Sequence, residues 1–244
     1  MVLEIDLPVI RDQVYISFTF RLKSKERDIL AKRKLFVAIA GNIGVGKTTL
    51  TRLLSRELEW RAYYEKVIDN PYLPLFYDEM SRWSFHLQIY FLSHRFKAQK
   101  EITAWPDSCI QDRSIYEDVE IFARTLYEKG FMSEMDYTNY RMLFETMVEY
   151  LRKPDLIIFL QAPVEHLLDR ILQRGRDYEQ TIDRDYLNEL NAAYDRWADE
   201  AEETGLRVLR VNTVNKNFEK RKSDLNTIVK FVREMESQSW IGMD

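Results

Sequence analysis

Residues 35–52 read Leu-Phe-Val-Ala-Ile-Ala-Gly-Asn-Ile-Gly-Val-Gly-Lys-Thr-Thr-Leu-Thr-Arg. An apolar run leads into Gly41-Asn42-Ile43-Gly44-Val45-Gly46-Lys47-Thr48, which fits G-x-x-x-x-G-K-[ST]. A helical pattern starts at Thr49. Each part has a physical purpose. Gly41, Gly44 and Gly46 let the backbone curl so that successive N–H groups point at phosphate oxygens. The helix N-terminus adds a favourable dipole. Lys47 brings a cation to the β- and γ-phosphates, and the Thr48 hydroxyl is a hard oxygen ligand for Mg²⁺. The loop therefore points to a nucleoside triphosphate such as ATP and says nothing about the acceptor.

Further short apolar runs lie at 61–65, 109–112, 156–160 and 207–211, with helical spacing between them, as at 83–99 and 116–128. With the run at 35–40 they predict an α/β fold: a doubly wound parallel sheet of five strands, the phosphate loop following the central one. Residues 14–22 alternate like a half-buried strand, so residues 1–34 read as an N-terminal arm before a domain at 35–244. The 244 residues carry a net charge of −4, which argues against a nucleic-acid binder. No run approaches the roughly 18 apolar residues of a membrane span. A lone cysteine, Cys109, and a start unlike a signal peptide lead to the expectation of a cytoplasmic protein without disulfides.

Phosphate loops serve switches, motors and small-molecule kinases alike. Asn215-Lys216-Asn217-Phe218 lacks the Asp of a guanine-reading element. A kinase needs a base beside its acceptor and cations around the moving phosphoryl group. Glu65, expected to close the second strand, is placed for the first task; the competing reading is a surface glutamate at a strand end. Asp112-Arg113-Ser114 ends the third strand. There Arg113 can hold the acceptor oxygen or Glu65, and Asp112 can reach Mg²⁺, or the two form a local salt bridge. Arg170, Arg174 and Arg176 can close over phosphates as an arginine-rich lid, or form a solvated helix face.

In this order, together with Asp69-Asn-Pro-Tyr-Leu and Arg82-Trp-Ser-Phe-His-Leu-Gln88-Ile-Tyr, these elements resemble the deoxynucleoside kinases over about 35–197, and most of all the bacterial deoxyadenosine/deoxyguanosine branch. The resemblance implies transfer of a γ-phosphoryl group from ATP to the 5′-hydroxyl of a deoxynucleoside, a purine one before all, with Mg²⁺, by a homodimer. It implies that Glu65 is the base and that Arg113 sits near the 5′-hydroxyl and phosphates. Tyr77 and Glu179 would bind the 3′-hydroxyl, Gln88 would read the base edge and Phe122 would stack on it. The lid arginines would hold the donor. Arg95 and Asp118, expected in mutual contact, would offer donors to N7 or O6 of a purine and crowd a thymine methyl; their other reading is a salt bridge between helices. The chain departs from the family in having Glu65-Lys66-Val67 instead of Glu-Pro-Val, and Asn70 where the animal enzymes carry tryptophan. A thymidylate-like kinase, which needs a basic pocket for its acceptor's phosphate, and a nucleotide-binding regulator are the alternatives.

Overall fold

The computed structural model describes residues 34–65 and 70–237; the alternating segment at 14–22 lies outside them. Five strands, β1 (Phe36–Gly41), β2 (Arg61–Tyr63), β3 (Cys109–Asp112), β4 (Leu156–Gln161) and β5 (Val208–Asn212), form one sheet in the order β2-β3-β1-β4-β5. Every pairing is parallel. β1 is central, and helix α1 (Lys47–Leu58) leaves its C-terminal end through the phosphate loop. The following helices are α2 (Tyr72–Asp78), α3 (Met80–Ala104), α4 (residues 115–128), α5 (Glu134–Val148), α6 (Val164–Arg174), α7 (Arg184–Glu203) and α8 (Lys222–Ser237).

The strands read as unbroken apolar runs because both faces are covered. Leu156, Ile158 and Leu160 of β4 join a core with Leu50 and Leu54 of α1 and Val232 of α8. Ile157 and Phe159 point the other way, into a core with Val119 of α4 and Tyr194 of α7. Alternation along one strand thus feeds two helical layers.

Two features depart from the expected elements. β2 stops at Tyr63, short of Glu65. Its register pairs Tyr63 with Gln111, so Glu65 would face Arg113, where β3 has already left the sheet through a left-handed turn (φ 65). No partner strand remains for Glu65. In α4 the helical pattern is interrupted: Asp118–Ala123 is a π-helix between the α-helical segments Ile115–Glu117 and Arg124–Glu128. Such widened turns re-aim side chains and are frequent at functional sites.

The start of β1 is tied to β4 by a reciprocal pair of bonds. The Phe36 N–H donates to Asp155 Oδ2 at 2.8 Å, and the Asp155 N–H donates to Phe36 O at 2.8 Å. Phe36 is fully buried, so Asp155→Ala strands its N–H. Urea unfolding should show a loss of about 1–3 kcal/mol, and Asp155→Asn, which keeps an acceptor, should recover most of it.

Candidate active site

The phosphate loop is built on glycines that no other residue can replace without strain. Gly41 has φ 139, and a Cβ there would lie 2.5 Å from the Leu160 carbonyl oxygen. Gly44, at φ 81, would press a Cβ to 2.9 Å from both Ile171 and the Leu167 oxygen. The loop is fastened from outside. Asn42 Nδ2 donates to Leu187 O (2.9 Å) and Asn191 Oδ1 (2.8 Å) on α7. Arg170 donates to Val45 O (3.0 Å), Thr213 Oγ1 (3.0 Å) and Thr213 O (2.9 Å), joining the loop to the chain after β5. Arg170 lines the cavity, yet these bonds make it a brace for the loop.

A cavity of about 740 Å³ runs from this loop to the helices on the other side of β1. Its phosphate end is lined by Gly44, Lys47, Thr48 and Thr49, and its far end by Tyr77, Gln88, Asp118 and Phe122. Glu65 and Arg113 line the middle, and Arg174, Arg176 and Glu179 the mouth. Asn42, Asp112 and Arg95 stand in the wall behind.

The middle of the site is an alternation of buried charge. Asp118 Oδ2 lies 2.7 Å from Arg95 Nε, and Arg95 Nη2 lies 2.6 Å from Glu65 Oε1. Glu65 Oε1 is 3.2 Å from Arg113 Nε, and Arg113 Nη1 is 3.7 Å from Glu117 Oε1. Arg95 Nη1 also donates to Arg113 O at 2.8 Å and reaches Asp112 O at 3.4 Å. Each nitrogen of the Arg95 guanidinium therefore meets a protein acceptor, where the sequence reading had it offering donors to a base.

Burial alone would raise the Glu65 carboxyl; Arg113, Arg95 and Lys47 outweigh it and hold the group down to about 2. Asp118 has the opposite balance: burial outweighs Arg95 and pushes it up to about 6. Burial, then the Arg113 charge, pushes Lys47 down to about 7, and its ammonium donates to Asn42 O at 2.9 Å. An arriving phosphate would add opposite charge beside it and favour the ammonium form.

The Thr48 hydroxyl donates to Asp112 Oδ2 at 2.5 Å, while Asp112 Oδ1 is buried without a hydrogen-bond partner among the described residues. A hydroxyl beside a carboxylate with an unpaired oxygen fits Mg²⁺, which takes one or two protein ligands and completes its shell with phosphate oxygens and water. At the mouth, Arg174 and Arg176 both pair with Glu179, Arg176 at 3.1 Å. At the far end the Gln88 carbonyl oxygen is buried without a hydrogen-bond partner among the described residues.

Sequence reasoning missed several wall residues. Lys216, Asn217, Phe218 and Glu219 line the cavity beside the phosphate loop, although residues 215–218 read in sequence only as a guanine element without its Asp and Glu219 carries no signal. Glu117 was legible as the last residue of Ser114-x-x-Glu117, a capping box, and both of its reciprocal bonds are present. Tyr194 carried no sequence signal.

With this geometry in view, comparison with known proteins is decisive. The family model described as Deoxynucleoside kinase matches residues 37–236. The chain belongs to the deoxynucleoside kinase family. As a member it is a phosphotransferase with the P-loop kinase fold. It is 48% identical over 163 residues to the deoxyadenosine/deoxycytidine kinase of Bacillus subtilis (strain 168), covering 66% of this chain and 75% of that one. It is 36% identical over 203 residues to the deoxyguanosine kinase of the same organism, covering 82% and 97%. The deoxyadenosine kinase of M. mycoides with bound dATP superposes with a TM-score of 0.72 at 26% identity, covering 82% and 99%.

The two carboxyls predict a divided pH response. Glu65 should stay ionised through the mildly acid range, whereas Asp118 takes up a proton as pH falls through about 6. In doing so Asp118 loses its charge and turns one acceptor site into a donor. The nucleoside kcat/KM should therefore fall along an acid limb centred near 6, and Asp118→Asn should abolish that limb. A limb unchanged in Asp118→Asn would assign it to another group.

Proposed function

We propose that this kinase transfers the γ-phosphoryl group of ATP to the 5′-hydroxyl of a deoxynucleoside, with deoxyadenosine as the preferred acceptor. The observation that carries the reading is Glu65, an ionised carboxylate held by two arginines midway between the phosphate loop and the far pocket of one cavity. An alcohol placed there has an acceptor for its proton on one side and cations for the phosphoryl oxygens on the other. A carboxylate held this acidic is a weak base. Phosphoryl transfer through a loose transition state asks mainly for orientation, and the proton leaves late. Mg²⁺ held by Thr48 and Asp112 would neutralise phosphate charge. Lys47, Arg113, Arg174 and Arg176 would stabilise the moving group.

The base preference rests on what faces the far pocket. Gln88 lines it with an amide that can both donate and accept, the Asp118 carboxylate is an acceptor, and Arg95 spends a donor from each of its nitrogens on the protein. Such an edge suits the exocyclic amino group of adenine and, next, of cytosine. The O6 of guanine or O4 of thymine would meet the Asp118 carboxylate with a second acceptor. The similarity to a deoxyadenosine/deoxycytidine kinase supports these two acceptors. Phe122 would stack on the base, and Tyr77 with Glu179 would take the 3′-hydroxyl. A cytoplasmic homodimer belongs to this reading. Met135, Met142 and Leu143 stand exposed on α5, with Tyr150 just beyond, an apolar face suited to a second copy.

The test is kcat/KM for four deoxynucleosides and their monophosphates. Deoxyadenosine should lead, with thymidine and every monophosphate poor; preference for thymidine or a monophosphate would overturn the assignment. Glu65→Gln should lower kcat by roughly 10²–10⁴ with the fold intact. Retention of more than about a third of the activity would leave Glu65 a binding role only.

A further inference from the structure

Arg113 occupies a conformation that its own chemistry does not favour. A non-glycine residue at φ 65 is uncommon and persists where its surroundings over-determine it. Those surroundings grip the guanidinium on several sides. Nε faces Glu65 at 3.2 Å, Nη1 donates to the Tyr194 hydroxyl at 2.5 Å, and Cζ stands 4.4 Å from the Phe122 ring centre.

The Tyr194 hydroxyl has one proton, and it goes to Glu117 Oε1 at 2.8 Å. The oxygen can then only accept from Arg113, so the three groups form a directed line from arginine through phenol to carboxylate. Glu117 is fully buried, and its other oxygen accepts from the Ser114 N–H at 2.8 Å. The same carboxylate thus fixes the backbone after Arg113 and the far end of the Arg113 side chain. Burying a carboxylate completely is costly unless it is paired and hydrogen-bonded. A cap alone does not require it, because a surface carboxylate caps as well.

Tyr194 is itself buried and packed on both sides. Its ring stacks on Phe159 of β4 at 5.7 Å and meets Trp197 edge-on at 6.3 Å. It lies on α7, the helix whose Leu187 and Asn191 take the Asn42 amide of the phosphate loop. One helix therefore holds both the phosphate loop and the arginine that faces it.

We propose that Tyr194 and Glu117 are positioning residues for Arg113, setting its guanidinium against the transferred phosphoryl group without touching either substrate. The proposal rests on the transfer reaction proposed above. Tyr194→Phe keeps the ring and its packing and removes only the hydroxyl. Glu117→Gln keeps the shape and removes the charge. Each should lower kcat per folded site roughly 10- to 100-fold, the effect of misplacing a group near the chemistry. The KM values for ATP and deoxyadenosine should change less than about threefold, because the lost interaction acts in the transition state.

Arg113→Lys lacks the fork that Tyr194 holds, so adding Tyr194→Phe to it should cost less than about twofold. A role confined to stability would instead lower the melting temperature and leave kcat per folded site unchanged. The proposal is overturned if both single variants keep kcat within about twofold of wild type, or if Tyr194→Phe costs the same factor in both backgrounds. It is likewise overturned if neither single variant folds, which would mark the pair as structural; if one folds, that variant decides by the same thresholds. A wild-type protein that phosphorylates no deoxynucleoside would sink the function itself, an outcome distinct from all of these.

Discussion

The constraint on which the site depends is the burial of ionised groups in alternating order: Asp118, Arg95, Glu65, Arg113, Glu117. None can be deleted cheaply, since breaking a buried pair by removing one partner costs about 3–5 kcal/mol. Their alternation is what makes the burial tolerable. Each interior member faces opposite charge on both sides, and Arg95 spends further donors on backbone carbonyls. The members come from the exit of β2, from α3, from the turn after β3 and from α4. The network therefore closes only when these elements have assembled around the central strand.

The same network explains the local irregularities. β3 stops pairing at Asp112, and the left-handed turn at Arg113 carries that side chain out of the sheet toward Glu65. The Arg113 carbonyl, freed from any strand, is taken by Arg95. Immediately afterwards the Ser114–Glu117 capping box starts α4, and its π-helical turn spans Asp118 and Phe122, both on the cavity wall. Backbone strain and widened helix sit together where the phosphate end of the cavity meets the pocket.

Much of this was legible because it is local. Both-faces burial makes Cys109–Asp112 and Leu156–Gln161 stand out as apolar runs. The glycine spacing of residues 41–46 admits few other uses. What was not legible depends on partners distant in the chain. The end of β2 is set by its register against β3, which nothing in residues 61–65 encodes. Tyr194 meets Arg113 across 81 positions and reads, in sequence, as one aromatic on an amphipathic helix. The contact between Arg95 and Asp118 was implied by the family resemblance, but the share of Arg95 taken by Glu65 was not, because that bond needs the exit of β2 in place beside α3.

The lid obeys the same electrostatics with solvent present. Arg174 and Arg176 are each about one-third exposed and converge on Glu179, which is buried. Glu179 thereby neutralises the two cations that a donor phosphate would need, and the cations occupy the carboxylate that a sugar hydroxyl would need. If a phosphate draws the arginines away, Glu179 is left a buried carboxylate without its counter-charge, unless a hydroxyl arrives to donate to it. If a hydroxyl binds first, it competes with two guanidinium groups for the same oxygens. Each ligand alone leaves a charge poorly satisfied, whereas both together satisfy all three side chains. On the function proposed above, the ion pairs at the mouth would favour joint occupancy of the cavity over occupancy by either ligand alone, through desolvation and charge balance and without a change of fold.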